Sequence, residues 1–105
     1  MKTYTDFEQS KKLAEILPIE SADMFYNYKD IDVKLMWEHN AQKVTTPCWS
    51  LAALLEVISY PTLSQEYNGK WSCMEFPGDE EVEGCENPVD ACYEIIINLH
   101  EQKLL

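Results

Sequence analysis

Asn68-Gly69 lies between Gln65-Glu66-Tyr67 and Lys70-Trp71-Ser72, and that arrangement commits this stretch of chain to an antiparallel hairpin. A two-residue type I′ turn needs positive φ at both central positions, which Asn and Gly tolerate best. The return strand is predicted to run through Cys73, Met74 and Phe76 until Pro77-Gly78 turns the chain. A second hairpin is expected upstream. Met24-Phe25-Tyr26-Asn27-Tyr28 and Val33-Lys34-Leu35-Met36-Trp37 are rich in aromatic and β-favouring residues, and the short segment Lys29-Asp30-Ile31-Asp32 joins them. The polar stretch 38–45 reads as a loop.

Three helix starts frame these hairpins. Thr5-Asp6-Phe7-Glu8 has the form of a capping box, with the Thr5 hydroxyl on the Glu8 amide and the Glu8 carboxylate on the Thr5 amide. Leu13, Ile16 and Leu17 then recur at helical spacing until Pro18, which predicts a helix over 6–17. Thr46-Pro47 pairs a capping residue with a proline at the first helical position, so a second helix is expected to start there and reach Ile58. From Cys48 to Ile58 only Ser50 and Glu56 are clearly polar, which puts this helix at the centre of the core. Asn87-Pro88-Val89-Asp90 repeats the start logic, and the third helix carries an apolar stripe of Cys92, Ile95, Ile96 and Leu99. The order α-β-β-α-β-β-α, with strands joined by hairpins, predicts an α+β fold: an antiparallel sheet with helices packed on one face. At 105 residues, one domain spanning 1–105 is expected.

Charge narrows the function classes. Nineteen acids oppose eight bases, for a net charge of −11, and every base is lysine. Without arginine the chain lacks the planar fork that makes most bidentate contacts to phosphate and guanine, and its field repels nucleic acid. Direct DNA or RNA binding is therefore not expected. The same field steers the protein toward basic surfaces on other proteins, including those whose ordinary occupant is nucleic acid. No apolar run approaches the roughly 20 residues of a membrane helix, and the polar N-terminus has no signal-peptide core, so a cytoplasmic setting is expected. In that setting Cys48, Cys73, Cys85 and Cys92 read as thiols.

Several constellations invite chemistry. Cys48, in the first turn of the expected second helix, would have its thiol pKa lowered by the unpaired amides there, which makes it the candidate nucleophile, with His39 or His100 as a conceivable partner. Trp49 and the leucines after it point instead to a packed thiol. The cysteine separations of 25, 12 and 7 residues contain no paired knuckle, so no metal centre is expected. Asp79-Glu80-Glu81-Val82-Glu83-Gly84 echoes a calcium loop, with Asp90 at its twelfth position, but Pro77-Gly78 bars the incoming helix that such a loop requires. A solvated acidic loop or a short edge strand around Val82 is the simpler reading. Trp37 and Trp49 are expected in the core, whereas Tyr26, Tyr28, Tyr67 and Trp71 fit either a core or a partner interface.

Three segments together resemble a known group. They are residues 3–18, carrying Thr5-Asp6-Phe7-Glu8-Gln9 and Leu13-Ala14-Glu15-Ile16-Leu17-Pro18; Pro47-Cys48-Trp49-Ser50-Leu51-Ala52-Ala53-Leu54-Leu55; and Asn87-Pro88-Val89-Asp90-Ala91-Cys92. They are similar to small acidic proteins encoded by phages and integrated mobile elements of gut anaerobes. The resemblance implies a cytoplasmic accessory role and assigns no catalytic residue and no cofactor. The expected function is a non-enzymatic interaction module whose acids Asp79, Glu80, Glu81, Glu83 and Glu86 engage a protein partner with a basic surface. A small thiol enzyme or redox protein using Cys48 is the alternative, and an exposed strand offers a route to a homodimer.

Overall fold

The computed structural model describes residues 1–27, 33–35, 45–75 and 80–103. Tyr28, the Lys29-Asp30-Ile31-Asp32 connection, Met36, Trp37, most of the 38–45 loop with His39, Phe76, the Pro77-Gly78 turn and Asp79 lie outside these residues. Helix α1 spans Phe7–Ala14, and a single 3₁₀ turn follows at Ile19–Ser21. Strands β1 (Met24–Asn27), β2 (Val33–Leu35) and β3 (Thr45–Cys48) precede helix α2 (Leu51–Val57). Strands β4 (Pro61–Gln65), β5 (Trp71–Glu75) and β6 (Glu80–Cys85) then lead to helix α3 (Pro88–Glu101). The fold is α+β, and both expected hairpins form. Each hairpin gains a third antiparallel strand, giving two sheets of order β2-β1-β3 and β4-β5-β6.

Helix α1 starts one residue later than the capping pattern predicts. Asp6, not Thr5, is the N-cap: its Oδ1 accepts from the Gln9 amide at 2.8 Å, and the Gln9 side chain accepts from the Asp6 amide at 3.1 Å. Thr5 is withdrawn from capping because its side chain is fully buried, with Oγ1 accepting the Trp49 amide at 3.2 Å and standing 2.7 Å from Ser10 Oγ.

The expected helix start at Thr46-Pro47 is corrected. Thr46, Pro47 and Cys48 form β3, paired with Tyr26, Phe25 and Met24 of β1. Proline is tolerated because β3 is an edge strand, where a missing N–H leaves no ladder bond unmade. The N-terminal arm joins just beyond it: the Thr5 amide donates to Trp49 O, the Leu51 amide donates to Thr3 O, and Tyr4 bridges Ser50. Helix α2 is capped by Ser50, whose Oγ accepts the Ala53 amide at 3.2 Å while Asp23 accepts both the Ser50 amide and its hydroxyl. Asn87 caps α3 as expected, accepting the Asp90 amide at 2.8 Å with Pro88 in the first turn.

The core lies where these elements meet. Val89, Cys92, Ile95 and Ile96 of α3 are fully buried, and Leu99 nearly so, against Leu13, Trp49, Leu54 and Cys73. Burying each such aliphatic side chain contributes roughly 1.5–3 kcal/mol. Among the described residues no helix is long and apolar enough to cross a membrane.

Candidate functional site

Strand β6 is an edge of its sheet, and its sequence divides it into two faces. Val82 and Cys85 pack against the core, while Glu81 and Glu83 alternate outward and are exposed. Cys73 pairs with Val82 and Trp71 pairs with Cys85, so Glu83 and Gly84 together oppose Ser72 in a β-bulge. Gly84 sits at φ +76°, a conformation that glycine adopts without steric cost. The bulge is pinned from the neighbouring hairpin, because the Gly84 amide donates to Glu66 Oε1 at 2.8 Å.

Each sequence-predicted acid within the described residues has a distinct place. Glu80 is half-buried and accepts from the Gln102 side chain at 2.8 Å. Glu81 stands across from Met74, which is itself exposed. Glu86, at the end of β6, pairs with Lys70. Sequence reasoning did not foresee Glu66 beside these acids, where its carboxylate accepts the Gly84 amide. Burial first, then the charges of Glu94, Asp90 and Glu66, push the Cys85 thiol above its ordinary range.

Tyr67 completes the surface. The β4–β5 turn is not the expected two-residue type I′ turn: the Gly69 amide donates to Glu66 O, and Asn68 keeps negative φ. Gly69 alone is left-handed, at φ +88°, so the loop has three residues, a type I turn closed by a glycine bulge. Asn68 contributes through its side chain, whose Oδ1 accepts the Lys70 amide at 2.9 Å. This loop raises Tyr67 fully into solvent at the tip of the hairpin. By contrast Tyr26 is buried, its hydroxyl donating to Thr5 O at 2.7 Å, and Trp71 is half-buried.

The thiols occupy different ground. Cys48 ends β3 with no exposed surface and donates to Thr5 O at 3.4 Å. The expectation that a helix terminus depresses its pKa is therefore overturned: burial pushes the thiol up. His100 is exposed near the end of α3. Cys73 and Cys92 face one another between β5 and α3, and their mutual hydrogen bond together with burial holds the Cys92 thiol far above its usual range. The calcium-loop echo is also removed, since Glu80–Cys85 is an extended strand with alternating side chains and Asp90 binds Lys2 and Gln9 instead. Among the described residues no three His, Cys, Asp or Glu side chains are grouped as metal ligands. Comparison with protein-family models, curated proteins and solved structures found no match to this chain.

Proposed function

We propose that the protein is a non-enzymatic acidic interaction module, a cytoplasmic accessory of a phage or mobile element. Its β6 edge engages a basic protein surface of the kind that ordinarily holds nucleic acid. The observation that carries this reading is the pair Glu81 and Glu83, exposed on an edge strand whose bulge is tied through Glu66 to the hairpin that carries the solvent-exposed Tyr67 at its tip. Tyrosine supplies a large rigid contact, and the surrounding carboxylates set sign and orientation, the usual division of labour at a polar interface. Two acidic, bulged edges repel each other and do not extend one another's ladder, which favours a basic partner over a homodimer through this strand.

The test is capture from a host lysate at low and high salt, with the wild-type chain and with the E80Q/E81Q/E83Q variant as parallel baits. A partner held by this edge is retained by the wild type at low salt, released at high salt, and retained poorly by the variant. Equal capture by both baits at both salt concentrations contradicts the proposal.

A further inference from the structure

A second surface lies away from β6, where the chain leaves α1, makes its 3₁₀ turn and passes beside α2. A groove of about 670 Å3 opens there. Its floor is apolar, formed by Leu17, Ala22, Ala53 and Val57, and Ile19 on the same turn is 58% exposed. Its rim carries Glu20, Asp23 and Glu56, all exposed, and no base lines it. The turn is tied to the core by hydrogen bonds: the fully buried Trp49 donates its indole Nε1–H to Ser21 Oγ at 3.0 Å, while Ser21 Oγ donates to Pro18 O at 2.6 Å.

We propose that this groove docks a short basic amphipathic helix of a partner protein, its aliphatic side chains on Leu17, Ala22, Ala53 and Val57 and its cations against Glu20 and Glu56. Charge complementarity selects this occupant. A second copy of the chain carries a net charge of −11, and an anionic membrane surface is repelled by the same carboxylates. A volume of this size accepts a few aliphatic anchors, and helices present such anchors at i, i+3, i+4 and i+7. The inference rests on the reading of this protein as a binder of basic partners and adds the apolar half of the recognition.

The probe is a fluorescein-labelled 14-residue peptide of lysine and leucine with the leucines on one helical face, compared by anisotropy with a peptide of the same composition whose leucines are scattered. Wild-type protein is expected to bind the one-faced peptide at least about tenfold more tightly. A52R, which places a cation at an exposed position of the groove wall, should abolish that preference, and E20Q/E56Q, which leaves the packing intact, should weaken binding of the one-faced peptide and flatten its salt dependence. E80Q/E81Q/E83Q should preserve the preference.

Equal affinity for the two peptides, a preference that survives in A52R, or an affinity for the one-faced peptide that is unchanged in E20Q/E56Q overturns the groove. So does a self-association in sedimentation that A52R dissolves, because a second copy would then be the occupant. Binding lost in E80Q/E81Q/E83Q but kept in A52R also overturns the groove and leaves the β6 edge standing. Failure of both peptides to bind the wild type overturns the groove and leaves the β6 edge to the capture test.

Discussion

Thr5 uses every polar atom it has at the junction between the N-terminal arm and β3. Its amide donates to Trp49 O, its carbonyl accepts from the Tyr26 hydroxyl and the Cys48 thiol, and its hydroxyl serves Ser10 and the Trp49 amide. Thr5→Val preserves shape but deprives the buried Trp49 amide and Ser10 hydroxyl of that partner. The expected cost is about 1–3 kcal/mol in urea unfolding, and an unchanged midpoint contradicts the assignment. Cys48 belongs to the same junction, so it should resist alkylation in the native protein and react only on unfolding; prompt labelling near pH 7 would restore a catalytic reading. Lys2 bridges Asp6 at 3.0 Å and Asp90 at 2.9 Å. Partial burial disfavours the charges at all three groups, but the hydrogen bonds and ion pairs outweigh it, lowering both carboxyl pKa values and raising that of Lys2. The carboxylates' contribution is present at neutral pH and is lost as pH falls below their ordinary value near 3.8. Lys2→Met should therefore cost about 1 kcal/mol at pH 7, a deficit that shrinks as the two carboxylates protonate in acid. A deficit that persists undiminished in acid would mean that the lysine stem, not its charge, stabilises the arm. At this scale the sequence pointed to a cap near residue 5 but not to its identity, because Asp6-x-x-Gln9 and Thr5-x-x-Glu8 fit equally well and only tertiary burial of Thr5 decides between them.

Helix α3 and the two hairpins were legible because each is specified locally, by a cap and proline, by an apolar stripe, or by a turn residue that has few alternatives. The start of α2 was not legible. Thr46-Pro47 satisfies the rule for a helix start and also the rule for an edge strand, and the choice is made by pairing with β1, a contact some twenty residues away in sequence. The β4–β5 hairpin shows the same limit in a milder form, since Asn-Gly fixed the turn's location while the register of β4 against β5 chose a three-residue loop. Gly84 marks a bulge that alternation alone could not reveal. A Cβ at this position meets no atom within 4 Å, so its whole cost is the left-handed backbone. Gly84→Ala should lower stability by about 1 kcal/mol and shift the urea midpoint down without changing the slope. No shift would mean that the bulge relaxes freely and does not fix the outward direction of Glu83.

Among the described residues, the apolar core built on α3 leaves two outward surfaces of the same sign, the β6 edge with Tyr67 and the groove beside α2. The first was legible as an acid run in residues 79–86, although only the structure adds Glu66 to it. The second was not, since Leu17, Glu20, Ala53 and Glu56 converge from separate segments. A net charge of −11 in a chain of this size gives any complex with a basic protein a long-range attraction that salt screens within about a nanometre. The central claim is that this attraction acts through β6. Its most direct test is the slope of log Kd against log salt for the captured partner, measured with wild-type protein and with E80Q/E81Q/E83Q. A steep loss of affinity with salt for the wild type and a markedly flatter line for the variant are predicted; parallel lines of equal affinity would contradict the account.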